Sequence, residues 1–139
     1  MDRIEFCEMM SVERNNRNVS IYSIQNKMGI QFGCAQRIGK GKHNFNLNKA
    51  IDFIAAFNCA IELQNDEMCF VVNDYLSFIE WFIKIRNAQN YTQRTLAEAV
   101  GYTHVTIANI ERKKTILPID TFLKLMDVLG YTIKIVDKQ

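Results

Sequence analysis

A mainly α fold is predicted, built as two tandem helical units with short β-strands after each that would gather into a small sheet. Three observations predict it. Apolar residues recur three and four apart behind good caps through most of 74–130. Alternating, β-branched segments stand near the end of each half. Sliding the chain by 72 positions superposes Gly29 on Gly101 and aligns residues 4–63 with 76–135 without a gap. The two units are therefore drawn at 1–72 and 73–139.

In the second unit, Leu76, Phe78, Ile79, Phe82, Ile83 and Ile85 follow Asp74, a good N-cap, and predict a helix over 75–88. Asn87 to Tyr91 breaks it. Thr92 caps a second helix, 93–100, with Leu96, Ala97 and Val100 on one face. Gly101 falls where a left-handed C-cap is wanted, and Thr103 is a second N-cap for 104–112, with Ile107 and Ile110 turned inward. A loop over 113–117 leads to Pro118, placed at the first turn of a helix that runs through Phe122, Leu123, Leu125, Met126 and Leu129 to Gly130. Tyr131 to Val136 alternates and reads as a strand.

In the first unit the shift brings few identities, among them Phe6/Phe78, Arg14/Arg86, Asn18/Asn90 and Lys42/Lys114. The class pattern is stronger. Apolar residues coincide at Ile24/Leu96, Met28/Val100, Ala35/Ile107, Leu47/Ile119, Ile51/Leu123 and Phe57/Leu129, and Ser20 stands at the cap position of Thr92. Each copy is read as a five-helix-like unit finished by a strand. Cys59 to Leu63 and Met68 to Val72, separated by Gln64 to Glu67, predict a hairpin with which the C-terminal strand would pair.

Composition narrows the function classes. With 139 residues and 48% hydrophobic content the chain can bury a core. The first twenty residues carry Asp2, Arg3, Glu5, Glu8 and Glu13, unlike a secretory signal, and no stretch approaches a membrane span. Cys7, Cys34, Cys59 and Cys69 lack C-x-x-C spacing and lie apart from His43 and His104, so they are expected to be reduced, mostly buried thiols, and no metal site is expected. No catalytic constellation and no cofactor loop is found, so an enzyme is not expected and neither is a cofactor. The formal charge is +2, with eight Lys/Arg against eight Asp/Glu through Val72 and nine against seven beyond it.

The spacing Thr92-Gln93-x-x-Leu96-Ala97, then Gly101, Thr103, Thr106-Ile107, Ile110-Glu111 and Lys114, resembles the lambda-repressor/Cro (xenobiotic-response-element-type) helix-turn-helix family over about sixty residues. The resemblance implies a transcriptional regulator, expected to be a repressor, that binds double-stranded DNA by laying helix 104–112 in the major groove. It places His104, Val105 and Asn109 at base-reading positions with Thr103 and Thr106 beside them. Asn109 suits an adenine, and Val105 a thymine methyl. It assigns Gln93 to a phosphate at a helix N-terminus, and Arg94, Arg112, Lys113 and Lys114 to phosphate neutralisation. Arg86 and Glu111 match a structural ion pair between the first helix and the end of the recognition helix. The family usually has Gly where Lys113 stands, so strain is expected there.

The first copy departs from that pattern. Ile21 replaces the phosphate-binding Gln, Gln25 the small Ala, and Gly39 the Glu that Arg14 should meet, while Gly33 weakens the helix. It is read as degenerate, with Gln31, Phe32, Gln36, Arg37, Lys40 and Lys42 as its remaining candidates for DNA, and with zero net charge in this half weighing against them. Its other roles would be to take the place of a dimer partner, making a pseudo-two-fold monomer, or to grip a protein partner as a toxin-binding antitoxin does. A homodimer through the C-terminal strand is also open. A cytoplasmic protein of bacterial or phage origin, nucleoid-associated when bound to DNA, is expected.

Overall fold

The computed structural model describes residues 1–138. Its elements in order are α1 (Arg3–Asn16), α2 (Ile21–Met28), α3 (Phe32–Lys40), α4 (Leu47–Ala55), β1 (Cys59–Gln64), β2 (Cys69–Val72), α5 (Tyr75–Ala88), α6 (Gln93–Val100), α7 (His104–Glu111), α8 (Ile119–Leu129) and β3 (Thr132–Asp137). Mainly α with a small sheet is the architecture found.

Among the described residues each half has four helices before its strand or hairpin, the number that caps and spacing define in the second half, and not five as in a five-helix-like unit. Gly130 ends α8 at φ +84, and the alternating Ile133, Ile135 and Val136 beyond it suit a pleated strand better than another helix. Pro118 also differs from expectation. It sits at the N-cap, in extended conformation, and forms an isolated antiparallel bridge with Asn46.

The sheet is ordered β2-β1-β3 and is antiparallel throughout. β1, the central strand, turns Cys59, Ala60, Ile61 and Leu63 into the interior. Phe6, Phe53 and Phe57 from the first half and Phe78, Phe82 and Phe122 from the second are fully buried in one apolar cluster. Trp81 closes its edge, stacked on Phe70 with ring centroids 4.8 Å apart and set edge-on to Tyr131.

The 72-residue shift reappears in the backbone. α1 and α5 share length and offset, as do α2 and α6, and the starts of α3 and α7 and of α4 and α8 are offset alike. The positive-φ residues pair the same way: Asn18 with Asn90, Gly29 with Gly101, Gly41 with Lys113, Asn58 with Gly130. The central main-chain contacts between the halves are reciprocal. The Leu47 N–H donates to Leu117 O at 2.8 Å while the Ile119 N–H donates to Phe45 O at 2.7 Å. In the sheet, Ile61 faces Ile135 and Leu63 faces Ile133, with Glu62 opposite Lys134 between them. Two ion pairs add to these ties, Arg3 with Asp120 and Arg17 with Asp137.

Of the four cysteines expected to be mostly buried, Cys7 and Cys59 are, Cys34 is partly so, and Cys69 is exposed on the edge strand β2. No helix among the described residues is long and apolar enough to cross a membrane.

Candidate nucleic-acid interface

α6 and α7 form the corner that presents the candidate residues. α6 begins on a reciprocal cap in which the Thr92 hydroxyl accepts from the Thr95 N–H at 3.0 Å and Thr95 Oγ1 accepts from the Thr92 N–H at 2.8 Å. Leu96 and Ala97 are fully buried where the helices cross, and Ala97 leaves room for the approach. Gly101, at φ +80, turns the chain in a conformation that costs a side-chain-bearing residue about 1–2 kcal/mol. The Tyr102 N–H then returns to Ala97 O at 2.8 Å, closing the C-cap.

α7 packs inward through Ile107, Ala108 and Ile110. Its first turn presents Thr103, His104 and Val105 to solvent, with Thr106 and Asn109 half-buried beside them. Val105 is 52% exposed, an apolar side chain held in water at the leading end of the helix. Thr103 occupies the N-cap position, but its hydroxyl meets the Thr106 hydroxyl at 3.3 Å instead of capping the backbone. Arg94, Arg112, Lys113 and Lys114 are all exposed. The Asn109 carbonyl accepts from the Lys114 N–H at 2.9 Å, so the basic turn is folded back onto the end of α7. Lys113 takes φ +64, the left-handed conformation that a Gly at this position would adopt freely.

Arg86 and Glu111 meet as the sequence suggested. Nε donates to Oε2 at 2.6 Å and Nη2 to Oε1 at 2.9 Å, a two-pronged contact between side chains that are 9% and 7% exposed. Arg86 Nη1 also donates to Tyr91 O at 2.8 Å. One guanidinium thus joins the end of α5, the entry to α6 and the end of α7.

Gln93, the residue expected at a phosphate, lies against Glu111. In this structure its amide nitrogen donates to Glu111 Oε1 at 2.9 Å and so belongs to the same clamp. That bond uses one of the two amide hydrogens. Sequence reading missed the Gln93–Glu111 and Arg86–Tyr91 contacts because one is a through-space meeting of two helices and the other uses a backbone carbonyl, which no side-chain spacing reports.

The corresponding places in the first half are occupied differently. Arg14 Nη1 donates to Val19 O at 2.7 Å, as Arg86 does to Tyr91, but Gly39 stands where Glu111 would be. Arg14 Nε is buried with no hydrogen-bond partner among the described residues, and burial lowers the pKa of this guanidinium. Tyr22 and Phe32, in the places of Arg94 and His104, are 64% and 42% exposed.

A family model described as Helix-turn-helix matches residues 83–136, less than half of the chain but all of α6, α7 and α8. Neither the curated proteins nor the solved structures yield a match. Corner, clamp and family match coincide on one segment: residues 83–136 are similar to helix-turn-helix domains of the Cro/C1 type, a family of DNA-binding regulatory domains.

Proposed function

We propose that the chain is a sequence-specific repressor of transcription that reads double-stranded DNA with α7 in the major groove. The observation that carries this is the clamped presentation of α7. Its outward residues are neutral or basic, and the one carboxylate at its end, Glu111, is turned inward and neutralised by Arg86. A helix presented this way offers phosphate no like charge at its C-terminal end and holds its base-reading side chains at a fixed angle.

Asn109 would pair with the N6 and N7 edge of an adenine, Val105 would cover a thymine methyl, and His104 would meet the neighbouring base edge. Gln93 would give its second amide hydrogen to a phosphate while the first stays on Glu111, tying backbone register to helix orientation. Thr103 and Thr106 would flank the bases, and Arg94, Arg112, Lys113 and Lys114 would neutralise phosphates on either side. Repression needs nothing more than occupancy, since a groove filled by α7 is closed to other proteins.

Selection from a random duplex library, followed by fluorescence anisotropy at fixed salt, tests the reading. Asn109→Ala should weaken binding to the selected site about ten- to hundredfold and relax preference at one base pair. Lys114→Ala should weaken all sequences alike and lower the salt slope by about one. Failure to enrich any sequence, or unaltered affinity in Asn109→Ala, refutes the assigned surface; a reporter driven from a promoter that holds the site separates repression from mere binding.

A further inference from the structure

We propose that a single chain is a built-in dimer whose two halves read two different half-sites, α7 in one major-groove segment and α3 in the next, on the same face of the duplex. This rests on the DNA-reading role of α7 given above and extends it to the first half.

The symmetry comes from the contacts between the halves. Exchanging each residue for the one 72 positions away turns the Leu47–Leu117 hydrogen bond into the Ile119–Phe45 one, and the Ile61–Ile135 pair into Ile133–Leu63. These central main-chain contacts map onto one another under the exchange, the isologous pattern of a two-fold interface, to which the Arg3–Asp120 and Arg17–Asp137 ion pairs add ties without counterparts. Asn46–Pro118 and Glu62–Lys134 are self-matched pairs and so lie on the axis. The loop leaving α3 runs straight to Asn46, and the loop leaving α7 to Pro118. These are six and seven residues, a reach of at most about 25 Å, so each helix ends within about 25 Å of the axis. That bound admits the spacing a two-fold reader needs between its recognition helices, about 34 Å centre to centre.

The chemistry comes from charge. The zero net charge of the first half is an average over unlike segments. Residues 14–51 hold Arg14, Arg17, Lys27, Arg37, Lys40, Lys42 and Lys49 and no Asp or Glu, the acids lying on either side. Within 21–42 there are four basic residues and no acid, whereas the matching 93–114 has four with Glu98 and Glu111. The α2–α3 corner is therefore the more electropositive of the two. Arg37, Lys40 and Lys42 are exposed and stand at the positions of Asn109, Arg112 and Lys114. Lys40 and Lys42 suit phosphates. Arg37 in place of Asn109 exchanges an adenine reader for a guanine reader, because its fork matches the O6 and N7 pair. A chain with Asn on one helix and Arg on the other has an unlike pair of half-sites as its best target, which a symmetric dimer of identical readers would not prefer.

The test uses the full chain and duplexes enriched from a random library. Light scattering should give one chain per duplex, and a footprint should show two protected groove segments about one helical turn apart. Arg37→Ala should cost about ten- to hundredfold and relax preference for a guanine in one half-site only, while Asn109→Ala acts on the other. Arg37 is exposed, so an unchanged melting curve confirms that the variant is folded. Two chains on a palindrome with Arg37→Ala silent, or one protected segment per chain, overturns the inference and leaves the α7 reading intact. Capture of a protein through α2–α3 with Arg37→Ala silent toward DNA overturns it equally. No enriched sequence at all defeats the α7 reading itself.

Discussion

The buried clamp behind α7 and its unfinished counterpart in the first half make opposite predictions for the same kind of substitution. Glu111→Ala removes both prongs on Arg86 and the acceptor of Gln93, leaving a guanidinium that is 8% exposed with Tyr91 O as its one remaining partner. Removing one member of a buried pair costs about 3–5 kcal/mol, because the survivor keeps its desolvation cost without its partner. A domain of this size holds about 5–15 kcal/mol in all, and each kcal/mol moves its melting point by about 2–4 °C, so a fall of about 6–20 °C is expected. Replacing the pair together, Arg86→Met with Glu111→Leu, should recover most of that loss, since no charge is then stranded. Arg14 is already in the stranded state. Its Nε is unpaired in the interior and Gly39 supplies no carboxylate, so Arg14→Met should change stability by less than about 1 kcal/mol in either direction. Urea titration followed by the fluorescence of the single tryptophan, Trp81, measures these three variants and Arg86→Met alone on one scale. Equal losses for Arg14→Met and Arg86→Met, or a Glu111→Ala variant as stable as the parent, would refute the view that the clamp, and not the arginine's packing, fixes α7.

Lys113→Gly should raise stability by up to about 1 kcal/mol, because the left-handed conformation at φ +64 costs Lys about 1–2 kcal/mol and the added freedom of Gly returns only part of it; a thermal melt showing a loss would rule this out. Its partner position behaves the other way. A Cβ on Gly41 would lie 2.9 Å from both Cβ and Sγ of Cys7 in addition to a φ of +67, so Gly41→Ala should cost about 2–5 kcal/mol, clearly more than Gly101→Ala, where nothing lies within 4 Å. Burial pushes the Cys7 thiol up to about 11 from its ordinary value near 9. The folded form therefore favours the protonated thiol. This contribution is present below about pH 9 and is lost as the pH rises toward 11, because the unfolded chain gives up that proton first. Alkylation at pH 8 should label the exposed Cys69 and leave Cys7 unmodified until the chain unfolds; rapid native labelling of Cys7 would contradict its burial.

What the sequence determined by itself is local. Helices over 75–88 and 93–100 could be read to the residue because caps such as Asp74 and Thr92, the apolar spacing and Gly101 act within a turn or two of chain. The 72-residue shift, the Arg86–Glu111 pair and the strain at Lys113 were legible for a related reason: each follows from which residue type stands at a fixed offset. The strand after Gly130 was also legible from its alternation, and it pairs with β1 of the hairpin as expected. Tertiary structure alone decided the reciprocal bonding at Asn46 and Pro118, the capture of the Gln93 amide by Glu111, and the close seat of Gly41 on Cys7. These are meetings between segments distant in the chain. No local preference encodes them, and they arise only when burial of a shared core brings the two halves together.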